Sequence, residues 1–293
     1  MGMNNSSGHV DLKQAIKNLD VLPAMPVIAQ RLLALNLDTE DGERMLLTLI
    51  EEDPQISAKI VGLGNSPVIG ASRPIKTVRE AAMLLGNKRV QSVATSIAIM
   101  SLMTKVHSGK FNMLDFWMHS ICVAFSMQGI ARTMPEKLRP SDDQIFLAGM
   151  LHDIGYLVLA YLDPKLSDKL HTRLNVESER PAIEVEREVL EICHDELGAE
   201  LARHWGLPEG IVAVLRYHHS PEAVGAAAGQ PLVRMLNITE KIMSPLGFNE
   251  YVTPVISDTE WEAIGIDPSR AGEVQEQVAE QAEQAVQFAS SFT

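Results

Sequence analysis

Apolar residues in this chain recur at helical spacing, and alternating Val/Ile/Thr runs bounded by turns are nearly absent. VIAQRLLALNL places apolar side chains at 27, 28, 32, 33 and 35. RMLLTLIEEDP follows and closes at Pro54, and QISAKIVGLGNS runs to Asn65. TVREAAMLLGNKRVQSVATSIAIMSLM reads as two helices broken near Gly86, with Val78, Ala82 and Leu85 on one face of the first. The pattern predicts an all-α protein of packed helices joined by short polar links. A polar break, KVHSGKFNM at 105–113, predicts a lobe boundary near 108–112. The expected organisation is an N-terminal lobe over 1–110, a second helical lobe over 111–250, and an extension over 251–293. That break is too short for a free tether, so the lobes should pack together.

The extension carries SRAGEVQEQVAEQAEQAVQFASS, where Val274, Val278 and Ala282 repeat every four residues. The expected use of that stripe is docking on its own chain, with a homodimer contact as the alternative.

With 293 residues, 46% of them hydrophobic, the chain can bury a sizeable core. A net charge of −13 and no dense Lys/Arg run argue against nucleic acid as the main partner. The two cysteines, Cys122 and Cys193, make no disulfide framework and suit a reducing compartment. The start, MGMNNSSGHVDLKQ, lacks the charged-then-apolar pattern of a signal peptide. The apolar runs read as shorter than the roughly 18 residues of a membrane span, so the expectation is a cytoplasmic protein with no membrane partner.

His119, His152, His194, His204, His218 and His219 all fall C-terminal to residue 110. His119 sits in FWMHSIC, His152 and Asp153 in AGMLHDIGYLVLAYL, His194 in CHDELGAELARHWGLPEG, and His218–His219 at the end of PEGIVAVLRYHHSPE. Neutral imidazole ligates Fe, Mn, Zn or Ni, and a carboxylate can bridge two cations. Helices facing one another can aim such groups into one cavity. Adjacent residues on one helix point about 100° apart, which restricts how a His–Asp or His–His pair shares one ion. Two readings follow from the residues. One is a divalent-metal site on His119, His152, Asp153, His194, His218 and His219. The other is a hydrogen-bonded polar core in which neutral histidines and Asp153 fix the helix arrangement.

The order His119, His152–Asp153, His194, His218–His219 resembles the HD phosphohydrolase superfamily and its HD-GYP branch. The wider chain, over roughly residues 15–245, resembles HDOD domains, their mostly non-catalytic bacterial relatives. LPAMPVIAQRLLAL looks like the HDOD opening, and LIEEDPQISAKIVGLGNSP its signature with Asp53, Pro54, Asn65 and Ser66. IKTVREAAMLLGNKRVQSVA, FLAGMLHDIGYLVL and HDELGAELARHWGLPEGIVAVLRYHH follow in the family's order. Read from the residues alone, Asp53–Pro54 is a helix stop and cap, and Asn65–Ser66 a helix exit before Pro67.

The resemblance implies a two-lobe, multi-helical HDOD fold with an HD-like second lobe. It also implies a regulatory module in signal transduction that binds signalling proteins or a nucleotide in the cleft between lobes. If the HD site is active, His152 and Asp153 are its catalytic pair, and the alternative function is a metal-dependent phosphohydrolase acting on a nucleotide or cyclic dinucleotide. The chain departs from catalytic HD-GYP relatives in three places. Tyr156 stands where they carry lysine, SPEAVGAAAG stands where GYP would follow the paired histidines, and Asn237 (less well Thr239) aligns with their last metal-binding acid. Asp153 is then the single carboxylate of the set, with Glu186 or Glu188 as upstream substitutes, and the expected site is degenerate with little or no catalysis.

Overall fold

The structure is a computed structural model that describes residues 12–16, 22–67, 69–101, 109–243 and 255–290. The polar N-terminal stretch 1–11 and residues 102–108, which include part of the expected break, lie outside the described residues. Among the described residues the protein is all helical. The helices are α1 (Leu12–Ala15), α2 (Val27–Leu33), α3 (Glu40–Glu51), α4 (Pro54–Gly64), α5 (Val78–Leu85), α6 (Asn87–Ser101), α7 (Met113–Thr133) and α8 (Asp142–Leu151). They continue with α9 (Ile154–Leu162), α10 (Pro164–Val176), α11 (Ala182–Leu190), α12 (His194–His204), α13 (Glu209–Tyr217), α14 (Leu232–Ile242), α15 (Asp258–Ala263) and α16 (Ala271–Ser290).

The local chemistry starts and stops these helices where the pattern predicts. The Asp53 carboxylate accepts from the Gln55 and Ile56 amides at the head of α4, with Pro54 as first helical residue. Thr39 and Thr77 cap α3 and α5 in the same way, and Gly86, at φ 84°, separates α5 from α6. Asn65 does more than close α4. Its side-chain amide donates to the carbonyls of Val61 and Ile75, and its oxygen accepts from the Ile75 amide at 2.8 Å, which ties the following loop back onto the helix.

Helices α2 to α6 form one packed group, and α6, buried along most of its length, also lies against α8. Within this group the Gln91 amide donates to the Leu32 carbonyl. Two ties cross between the groups: the Trp205 indole N–H donates to the Pro23 carbonyl at 2.8 Å, and the Lys59 ammonium sits over the Trp117 ring. In the second group α7 packs on α8, α9 on α12, and α12 on α13. The stretch Asp142–Leu162, across α8 and α9, is long and apolar enough to cross a membrane, contrary to the sequence reading, yet 89% of it is buried inside the protein. It is the core of the second group. The stripe on α16 is covered by α7 of the same chain, with Val274, Val278 and Ala285 fully buried.

Candidate metal centre

His152 and Asp153 do not share a continuous helix. His152 is the last-turn residue closing α8, and Asp153, at φ −97° and ψ 12°, begins α9. This break removes the 100° limit expected for neighbours on one helix. Both side chains reach one point, with His152 Nε2 3.0 Å from Asp153 Oδ2. The His218–His219 pair similarly lies just past the end of α13. Close helix crossings set the depth of the cluster. A Cβ at Gly155 would lie 1.9 Å from the His194 carbonyl oxygen, so α9 and α12 approach at a distance only glycine allows.

The structure brings all six predicted groups together. His119 Nε2 lies 3.2 Å from His152 Nε2 and 3.4 Å from Asp153 Oδ2. On the other side of Asp153, Oδ1 lies 3.4 Å from His194 Nε2 and 3.6 Å from His218 Nε2. His194 Nε2 is 3.3 Å from His218 Nε2 and 3.2 Å from His219 Nε2. Asp153 thus stands between a pair of imidazoles and a trio. His204, the last residue of α12, is not among these groups.

A seventh group joins them that the sequence reading missed. Glu240 on α14 places Oε1 3.5 Å from His152 Nε2 and Oε2 4.0 Å from His219 Nδ1. It also lies within coordinating reach of Asp153 and His218. The expected position for this acid, Asn237, lies one turn earlier on α14, where its amide donates to the His218 carbonyl at 2.7 Å. Thr239 turns back to its own helix, donating to the Met235 carbonyl. The cluster therefore holds two carboxylates, and the expectation of one is corrected. The upstream candidates are also resolved. Glu188 sits at the surface against Arg173 and Arg180, and Glu186 lies behind His194 rather than among the converging atoms.

Hydrogen-bond partners assign the tautomers. His152 Nδ1 donates to the Gly149 carbonyl at 2.8 Å, and His218 Nδ1 to the Leu215 carbonyl at 3.0 Å. His194 Nδ1 donates to Glu186 Oε1 at 2.7 Å. In each ring Nε2 then carries a lone pair aimed at the centre. Burial pushes His119 and His218 below the ordinary imidazole range, and burial, followed by the neighbouring His194, pushes His219 down to about 3. For Asp153 burial opposes ionisation, but the histidines around it outweigh that and hold it well below the usual range. For Glu240 burial and the Asp153 charge act together and raise it well above. Among the described residues the Glu240 oxygens meet no hydrogen-bond donor, and the atoms nearest the Asp153 oxygens are the Nε2 atoms of the histidines around it.

The three rings with assigned tautomers all turn lone pairs toward the centre. His194 Nε2, His218 Nε2 and Asp153 Oδ1 form a triangle of acceptors 3.3–3.6 Å on a side. Distances of this size are those between ligands that share one cation at about 2.1 Å bonds. A hydrogen-bonded polar core would put a proton between such atoms, and the ring hydrogens of His194 and His218 are already spent on Glu186 and the Leu215 carbonyl. The donor set, imidazole with carboxylate, suits Fe, Mn, Zn or Ni.

The described residues form an all-helical fold in two packed groups, with a His/Asp cluster where α8 meets α9. The HDOD domain family model matches residues 22–221, and the chain belongs to the HDOD domain family. An uncharacterized protein of Treponema pallidum (strain Nichols) is 23% identical over 211 residues, which are 71% of this chain and 40% of that protein. The crystal structure of an HDOD domain protein of unknown function from Geobacter sulfurreducens superposes with a TM-score of 0.74 at 25% identity, covering 96% of this chain and 97% of that one. One named "Putative signal transduction protein", from Marinobacter aquaeolei VT8, superposes with a TM-score of 0.80 at 23% identity, covering 96% of this chain and 65% of that one. The chain thus spans well under half of the Treponema protein and about two thirds of the Marinobacter chain.

Proposed function

We propose that this HDOD protein is a metal-binding regulatory module whose second lobe holds two divalent cations. His119 and His152 would hold one, and His194, His218 and His219 the other, with Asp153 and Glu240 between them. The observation that carries this reading is the triangle of His194 Nε2, His218 Nε2 and Asp153 Oδ1, three buried acceptors with no hydrogen between them. Burying Asp153 and Glu240 side by side costs several kcal/mol, and cations would offset it. Membership in the HDOD family supports the regulatory part of this reading, in which the module acts through signalling proteins or a nucleotide.

A second reading, phosphohydrolysis of a nucleotide or cyclic dinucleotide, is favoured by one observation. Five imidazoles and two carboxylates are fewer donors than two six-coordinate ions take, so positions remain for water and a phosphate. Bound cations would supply Lewis acidity and an activated water. On the chain's side, Asp153 and Glu240 would offset the repulsion between the ions. Against this reading, Tyr156 replaces the lysine of catalytic relatives, and its hydroxyl is committed to Glu186 at 2.5 Å.

Elemental analysis of protein purified without chelator tests the proposal. Two metals per chain are expected in the wild type and fewer in His152→Ala; metal-free wild type after exposure to Mn, Fe, Ni or Zn refutes it. Hydrolysis of bis(p-nitrophenyl) phosphate by the loaded wild type, lost in Asp153→Ala, would select the second reading over the first.

A further inference from the structure

The three rings whose tautomers are assigned are not supported alike. His152 and His218 donate Nδ1–H to backbone carbonyls, which are neutral. His194 donates to a carboxylate. Glu186, wholly buried on α11, faces three donors with two oxygens. Oε1 accepts from Tyr156 Oη at 2.5 Å and from His194 Nδ1 at 2.7 Å, and Oε2 accepts from the His194 backbone N–H at 2.8 Å. The Tyr156 ring also stacks on the His194 imidazole, with centroids 4.3 Å apart and planes 19° from parallel. The imidazole is thus held on its face, on Nδ1 and at its own backbone.

We infer that Glu186, anchored by Tyr156, is a positioning residue that makes His194 the strongest donor of the centre and the trio of imidazoles its tighter cation site. This rests on the two-cation reading above. A carboxylate behind a ligating imidazole fixes its tautomer and raises its basicity. The trio has no carboxylate of its own, because Asp153 and Glu240 also face the other histidines. Glu186 supplies negative charge to that half at one remove, through the ring. Tyr156 suits this role as lysine would not, since an ammonium at that place would neutralise Glu186 before its charge reached His194. The departure from the catalytic pattern at position 156 is therefore a device of metal retention.

Glu186→Gln tests this because glutamine cannot serve the same three donors. It has one acceptor oxygen, and its NH2 must face either the His194 backbone N–H or the Tyr156 and His194 Nδ1 side. The probe is Co(II) alone, titrated into metal-free protein against a competing chelator. Wild type should bind two ions with distinguishable affinities. In Glu186→Gln the tighter step should weaken 10- to 100-fold, the usual cost of losing such a partner, while the weaker step stays within threefold. Tyr156→Phe keeps the stacked ring and should weaken the tighter step by less than Glu186→Gln. Imidazole 15N shifts of metal-free protein should show His194 protonated on Nδ1 in wild type and redistributed in Glu186→Gln. Equal loss of both steps, loss of the weaker step only, or an unchanged His194 tautomer would overturn the inference. Wild type that takes up no cobalt would overturn the two-cation reading and this one together. Cobalt taken up equally by wild type and Glu186→Gln would overturn this one alone.

Discussion

Gly155→Ala should separate the packing of the second lobe from its ability to hold metal. The new Cβ would sit 1.9 Å from the His194 carbonyl oxygen, 2.6 Å from its carbonyl carbon and 2.9 Å from its Cα. All three are backbone atoms, so no side chain can swing aside. Ordinary contact begins near 3.4 Å, so α9 and α12 must part locally by about 1.5 Å. Overpacking of this kind costs roughly 1–3 kcal/mol, and the better helix propensity of alanine returns only about 0.5–1. The displacement falls on His194 itself and is about three times the roughly 0.5 Å that a binding constellation tolerates. Urea unfolding of metal-free protein should show the stability loss, and cobalt titration should show the trio's affinity falling further than the stability does. Gly210→Ala is the control. Its Cβ would meet only the Ala228 carbonyl at 3.4 Å, and the exchange should be neutral or stabilising by up to about 1 kcal/mol. A Gly155→Ala protein as stable as wild type and binding both ions would refute the claim that this crossing sets the geometry of the centre.

Glu240→Gln should lower cobalt capacity and also change the pH dependence of metal-free protein. Because the folded protein raises Glu240 well above its ordinary 4.5, wild-type stability falls as pH rises from that value. The difference between the wild-type and Glu240→Gln unfolding curves should therefore grow with pH in the variant's favour, and a flat difference would contradict the assignment. Saturating metal at a hundredfold excess over its dissociation constant adds about 2.7 kcal/mol, so chelation should lower Tm by roughly 5 °C; an unchanged Tm would argue against a bound cation. Cys122 and Cys193 are both pushed up to about 12, chiefly by burial. Neither should react with a thiol reagent at pH 8 in the native protein, and both should react in denaturant; rapid native labelling would contradict the packing around them.

The helices were legible because their signals are local. Apolar spacing, the Asp53–Pro54 cap and the Gly86 break each act within a turn of the chain, and the structure has them where the pattern places them. The cluster was half legible. His119, His152, Asp153, His194, His218 and His219 announced themselves by residue type, but nothing local said that α8 ends at His152 and lets two neighbours point to one place. Glu240 was missed by one turn. It and Asn237 share the inward face of α14, as residues three apart do, and about 4.5 Å along the axis separates a hydrogen bond to the His218 carbonyl from a seat in the centre.

Glu186 was weighed in the sequence as a ligand, and Tyr156 only as a departure. That the two touch each other, 30 residues apart, and jointly hold His194 depends on how α9, α11 and α12 meet. The sequence by itself determined the helical class, the family and the identity of the imidazoles, because periodicity, caps and residue chemistry are written in consecutive residues. Only the tertiary structure decided which acids face those imidazoles and which stand behind them, because that depends on the rotation and axial shift of helices against one another, and a shift of one turn changes the answer without changing any local pattern.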